Sequence, residues 1–387
     1  MSNEMTGHGP LVLRLLRKHG PLTRGQLRAL SGLSRTTLYD AVAGLLDGGT
    51  VVASVPAAAP RKRGRPAEVL ALNPDSGHTL GIEFARRAVR VAAMDAAHEI
   101  VGTACQPHGA DVPWQLRVDV AWQLADRLTG GTLRSGAVNG IGVGVAGRVG
   151  PPDRGSLLAA RSGTVAALVR ERFGTQALID NGARLAALGE TVWGAAAGQR
   201  NVLYLRLSHD VGGGLVVAGR LHRGAHGVSG RFGHIAVDPE GALCECGRTG
   251  CLETVASIGA VLEAYRGAGG RAADVPELAA ASASGDAAAL AVVARAGTRV
   301  GRVLADVFHA VGPDVIVVGG ELVAACPAVM EPIAHQLNAG AVRGSGPRPP
   351  VRPAELGPAA SALGAIALLR QGASALPRDS FEVGIGA

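Results

Sequence analysis

Apolar residues at the start of the chain recur at the spacing of short α-helices. The run Leu11–Leu16 places four apolar side chains on one helical face and ends before Gly20-Pro21. Thr23 and Gln26 stand three residues apart, as in a capping box, and predict a second helix that runs through Leu30. The pattern therefore predicts two short helices before residue 31.

A tight turn at Ser31–Leu33 separates the second helix from a third, which Ser34 can cap and which extends to about Asp47. Two helices joined by a glycine turn predict a helix-turn-helix, whose second helix enters the major groove of DNA with its N-terminus first. We expect the inward faces to be leucine and valine side chains: Leu27, Leu30, Leu33, Leu38, Val42, Leu45 and Leu46. The outward residues at the leading end of the third helix are the candidate DNA contacts Arg35, Thr36, Thr37 and Tyr39.

Two short apolar runs, Val51–Val55 and Val69–Leu72, predict β-strands on either side of a basic loop. The loop Pro60–Pro66 has the form of the wing of a winged helix, and arginines beside a glycine can enter the narrow minor groove. Its candidate DNA contacts are Arg61, Arg63, Gly64 and Arg65. The alternative for residues 1–73 is a small helical bundle for protein contacts, followed by a solvated basic linker.

Positive charge is concentrated in the same region. Of the net charge of +7, residues 1–73 carry +6, from ten Lys/Arg against four Asp/Glu. The other 314 residues contain 28 basic and 27 acidic residues, a balance of +1. This asymmetry indicates a polyanionic partner and favours DNA binding over the protein-contact alternative.

From residue 80 onward, short β-like runs alternate with alanine-rich helical stretches. Six runs predict strands: Val89–Met94, Ile141–Val145, Ala177–Ile179, Val202–Leu207, Gly214–Val217 and Val315–Val318. Arg184–Ala197 and Asp286–Val311 predict helices. The alternation predicts an α/β domain at residues 74–387 with two lobes around a cleft, after a DNA-binding domain at 1–73. We place the lobes at about 74–185 plus the C-terminal helix, and at about 186–365.

The composition bears on the compartment of the protein. No apolar run approaches the roughly 18–20 residues that a membrane span needs, and the N-terminus lacks the basic and then apolar pattern of a signal peptide. Three of the five cysteines fall in one cluster, which argues against a disulfide framework. We therefore expect a cytoplasmic protein without membrane association.

Three cysteines and a histidine fall within the 18 residues from His234 to Cys251. Three thiolates and one imidazole complete the tetrahedral shell of Zn²⁺, with bonds of about 2.0–2.3 Å. Such a shell leaves no position for water, so we expect a structural zinc. The candidate ligands are His234, Cys244, Cys246 and Cys251, and Gly247 and Gly250 let the backbone fold back around them. The alternative is three ordinary buried thiols near a chance histidine.

Several segments together resemble the repressor/ORF/kinase (ROK) family, which combines sugar kinases and sugar-responsive transcription factors. They are the winged helix with its Arg-Gly-Arg-Pro-Ala wing, Gly140–Gly147, Asp180–Arg184, Val211–Gly214, the cysteine segment and Pro313–Gly320. The resemblance spans nearly the whole chain. It implies a two-lobed, actin-like (ribonuclease H-like) ATPase-type fold, a sugar or sugar phosphate sensed in the cleft, a structural zinc beside it, and dimers or larger assemblies.

The chain departs from the kinase members of the family at the catalytic base. Those members carry a Glu-Asn-Asp-Ala-Asn type motif whose aspartate accepts the proton of the sugar hydroxyl. The matching segment Asp180-Asn181-Gly182 places a glycine at the base position. Asp180 is the alternative base, but two residues along a strand displace its Cα by about 6–7 Å.

Both phosphate loops of the kinase members are altered as well. Their Asp-x-Gly-Gly-Thr type turn corresponds to Gly81–Arg87, which has no glycine pair. Their Gly-Thr-Gly loop corresponds to Ser208–Asp210, whose aspartate would repel a phosphate. We therefore expect a regulator without enzymatic activity.

The sugar-binding positions of the family are partly kept. Asn181, His234 and Glu253 match positions that bind sugar hydroxyls, whereas Arg231 stands where a glutamate is expected. Arginine replaces an acceptor with a five-donor cation, so one hypothesis is an anionic effector held by Arg231, such as a sugar phosphate or sugar acid. The alternative is that Arg231 pairs with an acid such as Glu253 and that the pocket has lost its ligand.

Together these features predict a transcriptional regulator of carbohydrate metabolism genes. We expect a repressor that binds a (pseudo)palindromic operator in double-stranded DNA as a homodimer or tetramer. Two other functions stay open: a sugar kinase with an appended DNA-binding domain, and a ligand-independent DNA-binding protein.

Overall fold

The structure is a computed structural model, and it describes residues 8–54, 68–73, 77–95, 98–131, 133, 138–147, 157–340 and 348–375. The chain divides into two compact units. One unit comprises Met1–Leu80, Ala93–Gly102 and Ala125–Gly140. The other comprises Gly81–Ala92, Thr103–Leu124 and Ile141–Ala387.

Three helices and a small antiparallel sheet lie at the start of the chain. They are α1 (Gly9–His19), β1 (Leu22–Thr23), α2 (Arg24–Ser31), α3 (Arg35–Asp47), β2 (Val51–Ser54) and β3 (Val69–Leu72), with the sheet order β1-β3-β2. The predicted capping box is confirmed, since Gln26 N donates to Thr23 Oγ1 at 3.3 Å and Thr23 N donates to Gln26 Oε1 at 2.9 Å. Gly32 ends α2 with a φ of 67°, and Ser34 caps α3 as predicted.

The core of this N-terminal region is apolar. Leu27, Leu38, Val42 and Leu70 are each at most 1% exposed. Leu30 is 46% exposed, so the prediction that it faces inward is wrong. Leu30 lies in the last turn of the eight-residue α2, and only Leu27, one turn earlier on the same face, is buried.

Two five-stranded sheets form the α/β part of the chain. The first contains β4 (His78–Phe84), β5 (Ala88–Met94), β6 (Ile100–Pro107), β7 (Val138–Val145) and β8 (Ala177–Asn181), in the order β6-β5-β4-β7-β8. The second contains β9 (Val202–Leu207), β10 (Val211–Val217), β11 (Arg220–His222), β12 (Val315–Gly319) and β13 (Val351–Pro353), in the order β11-β10-β9-β12-β13. Strands β9, β12 and β13 are parallel, whereas β10 runs antiparallel to β9 and β11. All six predicted strands are confirmed within these elements.

Helices connect and cover the sheets. They are α4 (Trp114–Leu128), α5 (Leu157–Phe173), α6 (Gly182–Trp193), α7 (Glu253–Ala256), α8 (Ile258–Gly267), α9 (Val275–Ala283), α10 (Ala287–Val311), α11 (Glu321–Ala325), α12 (Met330–Ala339) and α13 (Ala360–Ala375). The helix predicted to end at Val311 is confirmed as α10, and Asp286 caps it by accepting from Ala289 N at 2.7 Å. Helix α6 begins two residues earlier than predicted because Asn181 caps it.

Helix α13 packs closely against two strands and another helix. A Cβ added at Gly81 of β4, Gly142 of β7 or Gly189 of α6 would overlap a backbone carbonyl of α13. A Cβ at Gly364 of α13 would overlap the carbonyl of Leu185 in α6. Only glycine fits where backbones approach this closely. The contact fixes α6, whose N-terminus carries candidate site residues.

Among the described residues, no single helix is long and apolar enough to cross a membrane. Two consecutive helices, Val275–Ala283 and Ala287–Val311, are together long and apolar enough, but they meet at an angle of 111°.

Candidate functional site

The four predicted metal ligands come together in the structure. The ligand atoms of His234, Cys244, Cys246 and Cys251 all lie within 4.8 Å of one another. Cys244 Sγ lies 3.6 Å from His234 Nδ1, and Cys246 Sγ lies 3.6 Å from Cys251 Sγ. A tetrahedral shell with bonds of about 2.0–2.3 Å separates its ligand atoms by about 3.3–3.8 Å. The donor set and its spacing therefore suit a zinc ion.

Backbone turns bring these side chains to one centre. Gly247 and Gly250 have φ values of 86° and 67°, in the left-handed region that favours glycine. Gly247 N donates to the carbonyl of Cys244 at 2.9 Å and closes the turn between the first two cysteines. A Cβ at Gly250 would overlap the carbonyl of Asp238. The two glycines thus fold the chain back as the sequence predicted.

The three thiols differ in acidity. Burial raises the pKa of Cys251 to about 12 and also raises the pKa of Cys244. The backbone N–H of Arg248 donates to the sulfur of Cys246 and lowers the pKa of that thiol. Because metals bind the thiolate, ion binding at this cluster would release protons and would weaken as the pH falls.

The four predicted effector residues line one cavity of about 310 Å³. They are Asn181, Arg231, His234 and Glu253. Small-molecule sites have volumes of about 300–1,000 Å³, so the cavity is at the small end of that range. His234 contributes to this wall and to the cysteine cluster at once, as the sequence suggested.

Glu253 is engaged on both of its carboxylate oxygens. Its Oε2 accepts from Val211 N at 2.9 Å, and its Oε1 accepts from the Cys244 thiol at 3.8 Å. Arg231 is exposed on the cavity wall, and in the part of the chain that the structure describes its side chain forms no hydrogen bond or ion pair. The structure therefore does not contain the internal pair of Arg231 with Glu253.

Asn181 and Asp180 are both held by protein groups. Asn181 Oδ1 accepts from Ala183 N at 2.9 Å and from Arg184 N at 3.1 Å, so it caps α6. The buried carboxylate of Asp180 accepts from Arg184 Nε at 2.7 Å and from Arg223 Nε at 2.5 Å. With both oxygens bonded to guanidinium groups, Asp180 cannot serve as the alternative base.

The space beside Gly182 is taken by another acid. A Cβ at this glycine would lie 2.9 Å from Glu83 Oε1 and 3.2 Å from Ser361 Oγ. Glu83 is buried and bonded to two cations, Arg90 at 2.8 Å and Arg206 at 2.9 Å. The carboxylate nearest to the base position is therefore neutralised by two arginines.

Glu83, Arg90 and Arg206 form an ion network, and Arg90 extends it to Glu321 at 3.1 Å. The sequence did not predict this network. Burial alone raises the pKa of Glu321, but a hydrogen bond from Ser208 and the charges of Arg90 and Arg206 outweigh it and lower that pKa. The available signal was Glu83, which stands at the aspartate position of the kinase turn. A second signal was Arg206, a lone charge within the apolar strand β9.

The two altered phosphate loops meet each other. Arg86, in the loop after β4, lies 3.5 Å from Asp210, in the loop before β10. Both side chains are about half exposed, at 54% and 48%. An ion pair thus lies between positions where kinase members carry glycine-containing phosphate loops.

The predicted DNA contacts on α3 lie near its N-terminus. Arg35, Thr36 and Tyr39 are exposed, whereas Thr37 is half-buried and its N–H donates to Ser34 Oγ at 3.2 Å. The guanidinium groups of Arg35 and Arg24 lie 5.6 Å and 5.2 Å from the centre of the Tyr39 ring. Arg24, in the first turn of α2, is half-buried and forms an ion pair with Glu68, and the sequence did not single it out. The wing positions Arg61, Arg63, Gly64 and Arg65 lie outside the described residues.

The two five-stranded sheets, their covering helices and the cysteine-rich turn define the class of protein, a mixed α/β protein with an actin-like fold. The ROK family model matches residues 79–372, so the chain belongs to the ROK family.

The curated relatives include both kinases and repressors. A glucokinase from Halalkalibacterium halodurans is 32% identical over 76% of this chain and 94% of its own length. A xylose repressor from Bacillus spizizenii is 24% identical over 92% of each chain. The crystal structure of a ROK family transcriptional regulator, a homologue of the E. coli MLC protein, has 23% identity and a TM-score of 0.73 over 94% of this chain and 95% of its own. The kinase alignment thus leaves about a quarter of this chain unmatched, whereas the repressor alignment extends over nearly all of it.

Proposed function

We propose that the chain is a DNA-binding transcriptional repressor that responds to a sugar through a degenerate kinase cleft. The base position carries this proposal, because Gly182 has no side chain, Glu83 is bonded to two arginines and Asp180 to two others. Phosphoryl transfer needs a proton acceptor within hydrogen-bond reach of the attacking hydroxyl. Relatives named as a xylose repressor and as NagC of Escherichia coli match 92% and 93% of the chain, which supports the same function.

Residues 1–73 form the proposed winged helix-turn-helix, and residues 74–387 the sensor. The proposed DNA contacts on α3 are the exposed Arg35, Thr36 and Tyr39, together with Thr37 and the wing. The charge of +6 on residues 1–73 supports a polyanionic partner. We propose a cytoplasmic homodimer or tetramer that binds a (pseudo)palindromic operator, since two-fold proteins favour two-fold sites.

The cysteine cluster is the proposed structural zinc site. His234, Cys244, Cys246 and Cys251 supply four ligands, and a shell filled by protein has no position for water. The ion would hold the turn that carries His234 into the effector cavity. Its contribution is rigidity of that wall rather than chemistry.

The effector of the proposed repressor is a sugar, sugar phosphate or sugar acid. Asn181, His234 and Glu253 line the cavity and are the proposed contacts for its hydroxyls, since a carboxylate with one protein partner on each oxygen, as in Glu253, can still accept a further hydrogen bond. Arg231 is the cation available for an acid group. Calorimetry with neutral, phosphorylated and acidic sugars tests the role of Arg231. Binding heat that is observed with neutral sugars and not with phosphorylated or acidic sugars would contradict an anionic effector. Arg231→Glu should weaken anionic sugars selectively, and Arg295→Glu, exposed on α10, is the matched control.

Two assays on the full-length protein test the function. Genomic binding sites are mapped, and the affinity for a mapped operator is measured by fluorescence anisotropy with and without each sugar of a panel. We expect the protein to bind the operator with a Kd of about 10⁻⁸–10⁻¹¹ M. One sugar of the panel should raise this Kd. An affinity unchanged by every sugar favours ligand-independent DNA binding. A coupled assay with ATP and the same sugars should show no turnover, and robust turnover contradicts the proposal.

A further inference from the structure

A second cavity opens beside the proposed effector cavity. Its volume is about 640 Å³, twice that of its neighbour at about 310 Å³. The two share Ala146, Gly147, Asp210 and Glu245 in their walls, so they are contiguous. None of the four proposed effector residues lines the larger cavity. A single sugar ring bound by those residues therefore leaves the larger space without an assigned ligand.

The wall of the larger cavity is built from aromatic rings held in place. Phe84 and Trp114 form an edge-to-face pair with ring centres 5.6 Å apart. The guanidinium of Arg117 lies 4.9 Å from the centre of the Trp114 ring. Arg117 is only 9% exposed and donates to the carbonyls of Ala110 at 2.6 Å and Val112 at 2.8 Å. These bonds fix the loop and the tryptophan in advance of any ligand.

The charged groups of this cavity indicate the chemistry of its ligand. Its two arginines are already engaged, Arg86 with Asp210 and Arg117 with backbone carbonyls. Three carboxylates, Asp111, Asp210 and Glu245, line the same space. Carboxylates accept hydrogen bonds from hydroxyl groups and repel phosphates. The face of an aromatic ring is negative and attracts the C–H groups of a sugar ring.

We propose that the larger cavity is a subsite for a second, uncharged sugar residue. The effector is then a disaccharide or longer glycoside, with one ring beside His234 and Glu253 and the next against Trp114. This inference rests on the proposed function, since it extends the same effector site. It disfavours a nucleotide, because the three carboxylates of the cavity outnumber its two arginines and both arginines are engaged.

Calorimetry on the full-length protein tests the subsite with monosaccharides and the disaccharides built from them. We expect one disaccharide to bind about tenfold more tightly than its better-bound constituent. Trp114→Ala should remove that advantage and change the monosaccharide affinity by less than about twofold. Trp114→Phe keeps an aromatic face and should retain most of the tighter binding of the disaccharide.

Two further variants keep the test independent of folding defects. Asp111→Asn, on an exposed loop, should weaken the disaccharide and leave the monosaccharide unchanged. Trp122→Ala is the control, because Trp122 lies outside the cavity, with the Arg172 guanidinium 4.0 Å from its ring centre. Thermal unfolding confirms that each variant is folded.

Two results overturn the subsite and leave the proposed function intact. One is that no disaccharide binds more tightly than its constituents. The other is that Trp114→Ala weakens mono- and disaccharides equally. If no sugar binds and operator affinity is insensitive to all of them, sugar sensing itself is contradicted along with the subsite.

Discussion

The surroundings of Gly182 and the cysteine-rich turn are organised in opposite ways. Around Gly182, buried acids are bonded by arginines of the same chain: Glu83 by Arg90 and Arg206, and Asp180 by Arg184 and Arg223. In the turn, the ligand atoms of three cysteines and one histidine converge within 4.8 Å of one another. The first arrangement satisfies its charges internally, and the second is suited to an ion from outside. Acids that are already paired with arginines are thus not available as a base, whereas the cavity wall beside the turn keeps groups that can bind a ligand.

The largest expected effect comes from the turn. Cys251→Ser removes one of the four ligands, so we expect loss of the bound metal and a fall of more than about 4 kcal/mol in the free energy of unfolding. Elemental analysis and urea denaturation measure the two effects. Cys105→Ser, at an exposed thiol outside the cluster, should change neither. Wild-type protein that contains no metal and resists chelators would contradict the zinc assignment.

The next effect concerns the buried carboxylate before Gly182. Asp180→Asn removes the charge that faces Arg184, which is only 2% exposed, and should cost about 3 kcal/mol in urea denaturation. Asp119→Asn breaks the exposed pair with Arg172 and should cost about 0–1 kcal/mol. An equal loss of unfolding free energy in the two variants would show that the buried pairing of Asp180 stabilises the protein no more than an exposed ion pair.

An acid restored at position 182 tests whether the crowded, arginine-paired surroundings prevent catalysis. Gly182→Asp should produce no ATP-dependent sugar phosphorylation, because its side chain would start 2.9 Å from Glu83 Oε1. Crowding of this kind should cost about 1–3 kcal/mol in thermal or urea unfolding. Gly259→Asp, where a Cβ meets open space in the first turn of α8, is the control. Turnover in the coupled assay would show that the phosphate loops still function.

The smallest effect is expected at the pair between the two altered phosphate loops. Arg86→Ala or Asp210→Ala should change the free energy of unfolding by less than about 1 kcal/mol, because both groups are half exposed and screened by salt. A double-mutant cycle isolates the pair. Exchange of the two residues, Arg86→Asp with Asp210→Arg, should restore the small loss. A coupling energy above about 2 kcal/mol would contradict a solvent-exposed pair.

Local chemistry explains what could be predicted from the sequence. The caps at Thr23 and Ser34 and the cysteine cluster depend on residues 3–17 positions apart, so spacing alone predicts them. The contact of Arg90 with Glu321 joins residues 231 positions apart, and no periodicity encodes it. Leu30 shows a further limit, since helical spacing does not tell which end of a short helix is covered. The sequence places Gly182 at the base position, but the approach of Glu83 Oε1 to within 2.9 Å of a Cβ there depends on how β4 lies against the start of α6.

The position of α13 has a consequence for synthesis on the ribosome. This helix begins about 290 residues after β3, yet it fills the space left by Gly81 and Gly142. At about 5–20 residues per second, it leaves the ribosome about 15–60 s after the N-terminal region, whose apolar core is by then complete in sequence. The nascent chain can therefore fold its first helices before α13, which packs against β4 and β7, has been synthesised.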